Sequence, residues 1–138
     1  MDNKTTEQRS ENMRRIRSTG SIPEMIVRKM IHKMGYRYRL HNHSLPGRPD
    51  IVLPKHCKIV FVHGCFWHQH KKCKDGCRIP QSRSNYWIPK LERNIKRDKK
   101  NRYNLKNMGW EVLVVWECET KKLEKLTGKI TYFLEKQN

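Results

Sequence analysis

The chain is short of acid, of long apolar runs and of paired cysteines, and each shortage removes a class of protein. Asp and Glu number 13 against 31 Lys and Arg over 138 residues, a formal charge of +18 with a pI near 10.1. So little acid leaves the cations unneutralised, which argues against a merely solvated surface and for a polyanionic partner. A mean hydropathy of −0.96 excludes a membrane-spanning run. The N-terminus lacks the apolar stretch of a signal peptide, and no CxxC pair occurs. Five cysteines, at 57, 65, 73, 77 and 118, stand beside a cluster of histidines. An odd number in that company fits a reduced, cytoplasmic protein with a metal site better than a disulfide framework. Internal repeats and low-complexity linkers are also missing, and the length suits one domain with a real core. Ribosomal proteins and membrane-surface binders share such a charge, but four Trp, five Tyr and three Phe suit base stacking as well as phosphate contact.

Residues 1–20 are polar and basic, with Met13 and Ile16 as isolated apolar residues, and read as an arm or short helix apart from the core. Residues 21–138 read as the single domain. Ser21-Ile22-Pro23-Glu24 has the spacing of a capping box, followed by Ile22, Met25, Ile26, Met30, Ile31 and Met34 as an apolar series with Gly35 as the stop, which predicts a helix. Tyr36 to Leu40 alternates with period two, and Ile51-Val52-Leu53 and Lys58-Ile59-Val60-Phe61-Val62 follow, giving three successive strands in a meander. Residues 64–84 have no apolar periodicity, so their order must come from something other than a core, and a bound metal is the natural source. Asn85 to Met108 reads as a long basic helix with Trp87, Leu91, Ile95 and Leu105 inward, closed by Gly109. Trp110 to Trp116 is the strongest strand of the chain. Lys122 to Glu135 follows as an amphipathic helix on Leu123, Leu126, Ile130 and Phe133, with Gly128 an interior weakness. The expected layout is mixed α/β in the order αβββαβα.

The reactive side chains concentrate in two neighbouring segments, Leu45–Leu53 and His63–Cys73, where a carboxylate, three histidines, two cysteines and two adjacent aromatics crowd together. That is the inventory of a metal-dependent phosphodiesterase, which needs a cation, a source of hydroxide and a route for the leaving group's proton. Asp50, entering a short buried strand, is placed to hold Mg²⁺ through hard oxygen; the alternative is a turn Asp after Pro49. His63 and His68 follow the next strand and suit activation of water or protonation of the leaving group. Asp98, inside the basic helix, either orients one of these imidazoles or pairs locally with Lys or Arg. On the residues alone Glu24 reads as a cap. Cys65, His70 and Cys73 are spaced for three ligands of a closed tetrahedral Zn²⁺ site with Cys118 as the fourth, and Cys77 competes with Cys73. Cys57 reads as a small buried hydrophobe. Phe66 and Trp67 are hard to bury together on a polar loop; they read as a stack or wedge between base pairs, against a core role for one of them.

These residues resemble the very-short-patch repair (Vsr) mismatch endonucleases of bacteria. The resemblance rests on Arg9-Ser10-x-Asn12-Met13-Arg14, Ser44-Leu45-Pro46-Gly47-Arg48-Pro49-Asp50, His63-Gly64-Cys65-Phe66-Trp67-His68, the Asn94 to Asp98 segment and Trp110 to Cys118. It implies a restriction-endonuclease-like fold, a structural zinc and Mg²⁺-dependent nicking of one DNA strand next to a T:G mismatch. By position it implies that Asp50 binds Mg²⁺ with the backbone carbonyl of Val62, that His68 acts on the attacking water with Asp98 behind it, and that His63 is a second catalytic histidine. Glu24 becomes an acid in the outer coordination sphere. Phe66, Trp67 and Trp87 resemble aromatics that wedge into DNA from one groove, and Met13 on the arm resembles a residue entering from the other. Cys65, His70, Cys73 and Cys118 fall on the zinc positions. The chain departs from the family in carrying Val62 where Thr occurs, in a His70–Cys73 interval longer by one residue, and in the extra Cys77, which leaves the third zinc ligand open. The Glu-x-Lys half of the wider nuclease signature is missing, since Phe61 and His63 stand there.

The expected enzyme is a cytoplasmic, nucleoid-associated monomer acting on double-stranded DNA, with other repair proteins as possible partners. Two competing readings stand beside it. One is a non-catalytic zinc module that binds distorted DNA; the other is a restriction-type nuclease that cuts both strands of matched DNA.

Overall fold

The computed structural model describes residues 21–73 and 84–136. The arm expected over 1–20, Met13 with it, and Cys77 therefore lie outside the described residues. Helix α1 (Ile22–Lys33) begins where the sequence signals it: Ser21 is extended at φ −61°, ψ 160°, and its Oγ accepts the Glu24 N–H at 3.3 Å. Gly35, at φ +95°, ends it. Its inward stripe is Glu24, Val27 and Ile31, with Ile26, Met30 and Met34 packed alongside. Ile22, expected on the apolar face, is 78% exposed at the helix mouth.

Strand β1 (Arg39–Leu40) is shorter than the alternation from Tyr36 implied, although Tyr36, Tyr38 and Leu40 do turn to the core while Arg37 and Arg39 face water. Its partner β2 (Ile51–Leu53) offers only three residues before Pro54, which has no N–H for a ladder and opens a 3₁₀ turn over Pro54–His56. Cys57 leaves that turn in a left-handed conformation, φ 53°, and is exposed; the expectation of a buried Cys57 fails because the turn, not the strand, owns the residue.

Strand β3 (Lys58–His63) runs antiparallel to β2, with Ile51 opposite Val60 and Leu53 opposite Lys58. Helix α2 (Ser84–Asn107) then leads to β4 (Glu111–Trp116), which lies parallel to β3 from Lys58 opposite Glu111 to His63 opposite Trp116. A second 3₁₀ turn (Glu117–Lys121) leads to α3 (Leu123–Glu135). The result is a mixed four-stranded sheet in the order β1-β2-β3-β4.

Alternation along the strands separates two cores. Val60 and Val115 face Val27 and Ile31 of α1 and Leu126, Ile130 and Phe133 of α3, whereas Ile59 and Phe61 face Leu105 of α2 on the other side. A sheet covered on both faces follows, as all-buried β2 requires. Lys58, at the start of β3, is buried and its ammonium donates to the carbonyls of Phe133, Leu134 and Lys136 at 2.7, 3.0 and 2.7 Å, closing the C-terminus of α3.

Candidate functional site

The far end of β3 is where the sheet opens. Extending the β2–β3 register by two residues sets Val62 against Pro49, which has no N–H to give. The Val62 N–H donates instead to Asp50 Oδ2 at 2.7 Å, so a carboxylate stands in the gap left by the ladder. Burial pushes the Asp50 carboxyl up to about 7; the Val62 bond opposes this, and the neighbouring Glu24 adds to it through its charge and a shared hydrogen bond.

Glu24 has two parts with two positions. Its backbone closes the cap on Ser21, while its side chain, 4% exposed, turns inward. Oε2 lies 3.2 Å from His41 Nε2 and 3.5 Å from Arg28 Nη1, yet accepts no aligned hydrogen bond.

His63 ends β3 buried, its ring stacked on that of His68 at 3.8 Å and 7° and edge-on to Trp116 at 5.4 Å. Burial holds His63 down to about 3, with His68 and Arg102 adding to the effect and Asp98 opposing it, so the ring is neutral at ordinary pH. His68 comes from the turn that follows and meets Asp98 of α2, Nδ1 to Oδ2 at 2.5 Å. Burial raises the Asp98 carboxyl, but the bond and charge of His68, with His63 and Arg102, bring it below the ordinary carboxylate range. Asp98 is thus the partner of an imidazole. With Nδ1 engaged, the other His68 nitrogen, Nε2, is left for chemistry.

Asp50, His63, His68 and Asp98 line one cavity of about 620 Å³ whose other walls carry His41, His43, Arg48, Arg97 and Arg102, a lining suited to a phosphate-rich chain. Its rim depends on Gly47 at φ +78°: a Cβ there would meet the Asn101 side chain of α2 at 3.0 Å.

A second cluster lies beyond the turn. One atom from each of Cys65, His70, Cys73 and Cys118 falls within 4.8 Å of the others. His70 Nδ1 is 3.8 Å from Cys65 Sγ and 3.4 Å from Cys118 Sγ. Bond lengths of about 2.3 Å to sulfur and 2.0 Å to nitrogen give a tetrahedral edge of roughly 3.6 Å, so both spacings suit a shared ion. Burial drives the Cys65 thiol up to about 12, with Cys73 and Cys118 adding and the Cys118 N–H opposing, and burial raises Cys118 as well. Thiolates here require a cation. Cys73 belongs to this group by position.

Phe66, Trp67 and Trp87 form one cluster, centroids 5.4 to 5.5 Å apart, neither fully buried nor separate. Asn94 of α2 donates to the Trp67 carbonyl at 3.1 Å, and Lys90 Nζ sits 5.2 Å from the Trp67 ring and 5.8 Å from that of Trp87.

Sequence reasoning had no hold on His41, Arg102 or Lys90. His41 follows a strand of two residues and joins Glu24 only through tertiary packing; Lys90 and Arg102 are two cations in a helix full of them.

Residues 1–75 match the family model described as DNA mismatch endonuclease Vsr. The chain is 44% identical over 137 residues to type II nicking enzyme V.XorIIP of Xanthomonas oryzae pv. oryzae, covering 97% of each. It is 45% identical over 117 residues to type II nicking enzyme V.NmeAIP of Neisseria meningitidis serogroup A, covering 85% of this chain and 82% of the relative. With DNA mismatch endonuclease Vsr of Escherichia coli the identity is 38% over 124 residues, 88% of this chain and 76% of the relative.

Proposed function

Because the chain belongs to the Vsr family of DNA mismatch endonucleases, we propose that it nicks one strand of duplex DNA beside the mispaired T of a T:G mismatch, with Mg²⁺ as cofactor. As a member of that family it is an endodeoxyribonuclease, a nicking enzyme of DNA repair. The observation that carries this reading is the cavity in which the Asp50 carboxyl, a stacked pair of imidazoles and the His68–Asp98 contact share basic walls.

Asp50 and the backbone carbonyl of Val62 would hold Mg²⁺, and Glu24 would reach the ion through water. Asp50 suits the role because its buried carboxyl, crowded by Glu24, lacks a countercharge. The Val62 carbonyl suits it because it shares a strand edge with the N–H that meets Asp50, facing Pro49. When bound, Mg²⁺ neutralises charge on the scissile phosphate and the leaving oxygen.

His68 is the proton acceptor for water: Asp98 keeps the proton on Nδ1 and frees Nε2 as the base. Neutral His63, stacked on it, is the second catalytic histidine and resists a second positive charge beside His68. Arg48, Arg97 and Arg102 draw the DNA backbone into the cavity.

Cys65, His70, Cys73 and Cys118 would hold a structural Zn²⁺, since three thiolates and an imidazole suffice for a closed site with no place for water. Held there, it would fix the turn that carries Phe66, Trp67 and His68. Phe66, Trp67 and Trp87 would enter the duplex from one groove and Met13 from the other, with residues 1–20 as a DNA-binding arm and 21–138 as one nuclease domain of restriction-endonuclease-like fold. The αβββαβα order and the mixed sheet support that fold. The protein would act as a monomer at the bacterial nucleoid in the cytoplasm, with room for repair-protein partners.

The test is a nicking assay across mismatched and matched duplexes with Mg²⁺ varied. One nick in the T-containing strand of the T:G duplex is expected, and Asp50→Ala should lower the rate about a thousandfold, the several kcal/mol that a positioned cation supplies. Equal cutting by Asp50→Ala would remove the assignment. Tight binding without turnover would favour the non-catalytic zinc module, and paired cuts in matched DNA the restriction-type nuclease.

A further inference from the structure

The β1–β2 register, carried one residue past the strands, sets His41 opposite Asp50, and the His41 N–H donates to the Asp50 carbonyl at 3.1 Å. Residues opposed in this way hold their Cβ atoms about 5 Å apart on one face. His41 then turns left-handed, φ 50°, and its Nε2 reaches 3.2 Å from Glu24 Oε2. One atom from each of Glu24, His41 and Asp50 lies within 4.8 Å of the others. Glu24 Oε2 is buried and accepts no hydrogen bond, although His41 and Arg28 both stand near it. A buried acceptor left over in a group of two carboxylates and an imidazole marks a position for a cation.

We infer that His41 is a metal ligand: its Nε2 joins Glu24 and Asp50 around a divalent cation, and the nitrogen gives this site a preference for first-row divalent ions such as Mn²⁺ over Mg²⁺. The inference rests on the reading of Asp50 as the metal-binding carboxylate and adds a donor to it. Mg²⁺ prefers oxygen and keeps its water, whereas first-row ions accept imidazole readily. Glu24 then contacts the ion directly when Mn²⁺ is bound, and the orphaned Oε2 finds its complement.

The experiment uses the zinc-loaded full chain, with Mn²⁺ as the probe, read by pulsed electron paramagnetic resonance and by calorimetry. Wild type should show coupling of Mn²⁺ to a nitrogen nucleus, and Mn²⁺ should bind more tightly than Mg²⁺. His41→Asn, chosen because Asn accepts the left-handed backbone, should abolish the coupling and weaken Mn²⁺ about tenfold or more, with Mg²⁺ affinity held. Absence of nitrogen coupling in wild type overturns the inference, and so does coupling that survives in His41→Asn, since it then comes from His63 or His68. If His41→Asn does not melt like wild type, His41→Gln carries the same comparison. Asp50→Asn separates the two readings: Mn²⁺ binding equal to wild type there discards Asp50 itself, whereas loss there with unaltered coupling in His41→Asn discards only His41.

Discussion

The two clusters at the end of β3 come within two residues of each other in sequence, at His63 and Cys65, and are opposite in construction. Around Cys65 the donors are three sulfurs and a nitrogen, packed closely enough that one tetrahedral ion would use them all. Around Asp50 they are oxygens and imidazoles facing a cavity of about 620 Å³. Soft donors that close a shell hold structure; hard donors beside open space leave positions for water and phosphate. The segment from His63 to Cys73 serves both, because its residues alternate between the clusters: His63 and His68 belong to one, Cys65, His70 and Cys73 to the other.

Breaking each cluster alone tests how independent they are. His68→Ala should lower nicking by about 10²- to 10⁴-fold while zinc content and melting temperature stay at wild-type values. A melting temperature that falls with activity would mean that the histidine stack also holds the turn. Cys118→Ser should act the other way, reducing zinc below one per chain by metal analysis and the melting temperature by on the order of 10 °C. Full zinc in that variant would strike Cys118 from the set.

The finest comparison is with pH. Asp50 titrates near 7 in the fold against 3.8 in the unfolded chain, so the fold binds more protons between those values. Stability contributed by this group is full below 3.8 and is lost as pH rises through about 7. Metal-free protein should therefore become less stable over that range, and Asp50→Asn should flatten the curve. Below about 7, Mg²⁺ affinity should fall about tenfold per pH unit, because binding must expel one proton. A pH-independent affinity by calorimetry would show that Asp50 is already ionised.

Much of this arrangement was readable from the chain because it is local. Ser21 and Gly35 bound α1 in sequence and in structure, and His63 and His68 flank a turn whose crowding of Cys and His was visible at once. The apolar stripe of α1 was misjudged at Ile22 because a buried acid, Glu24, occupies the position where hydropathy looks for a hydrophobe. Asp98 could not be separated from a surface ion pair until α2 packed against the turn, and His41 could not be joined to Asp50 without the register of β1 on β2. Cys57 was misplaced because a left-handed residue after a 3₁₀ turn leaves no trace in composition. For Asp98 and His41 the missing information was a distance across the fold; for Ile22 and Cys57 it was the local course of the backbone.

Strand β3 is anchored at one end by the Lys58 ammonium and delivers His63 at the other, five residues on, with Trp116 beside it. Its neighbours Val62 and His63 point to opposite faces of the pleat. Evolution can thus lengthen or trim the surface turns of this protein, but between Lys58 and His63 a single inserted or deleted codon would reverse which side chain enters the cavity. The strand works as a ruler, and its length is as much a part of the site as the imidazole at its tip.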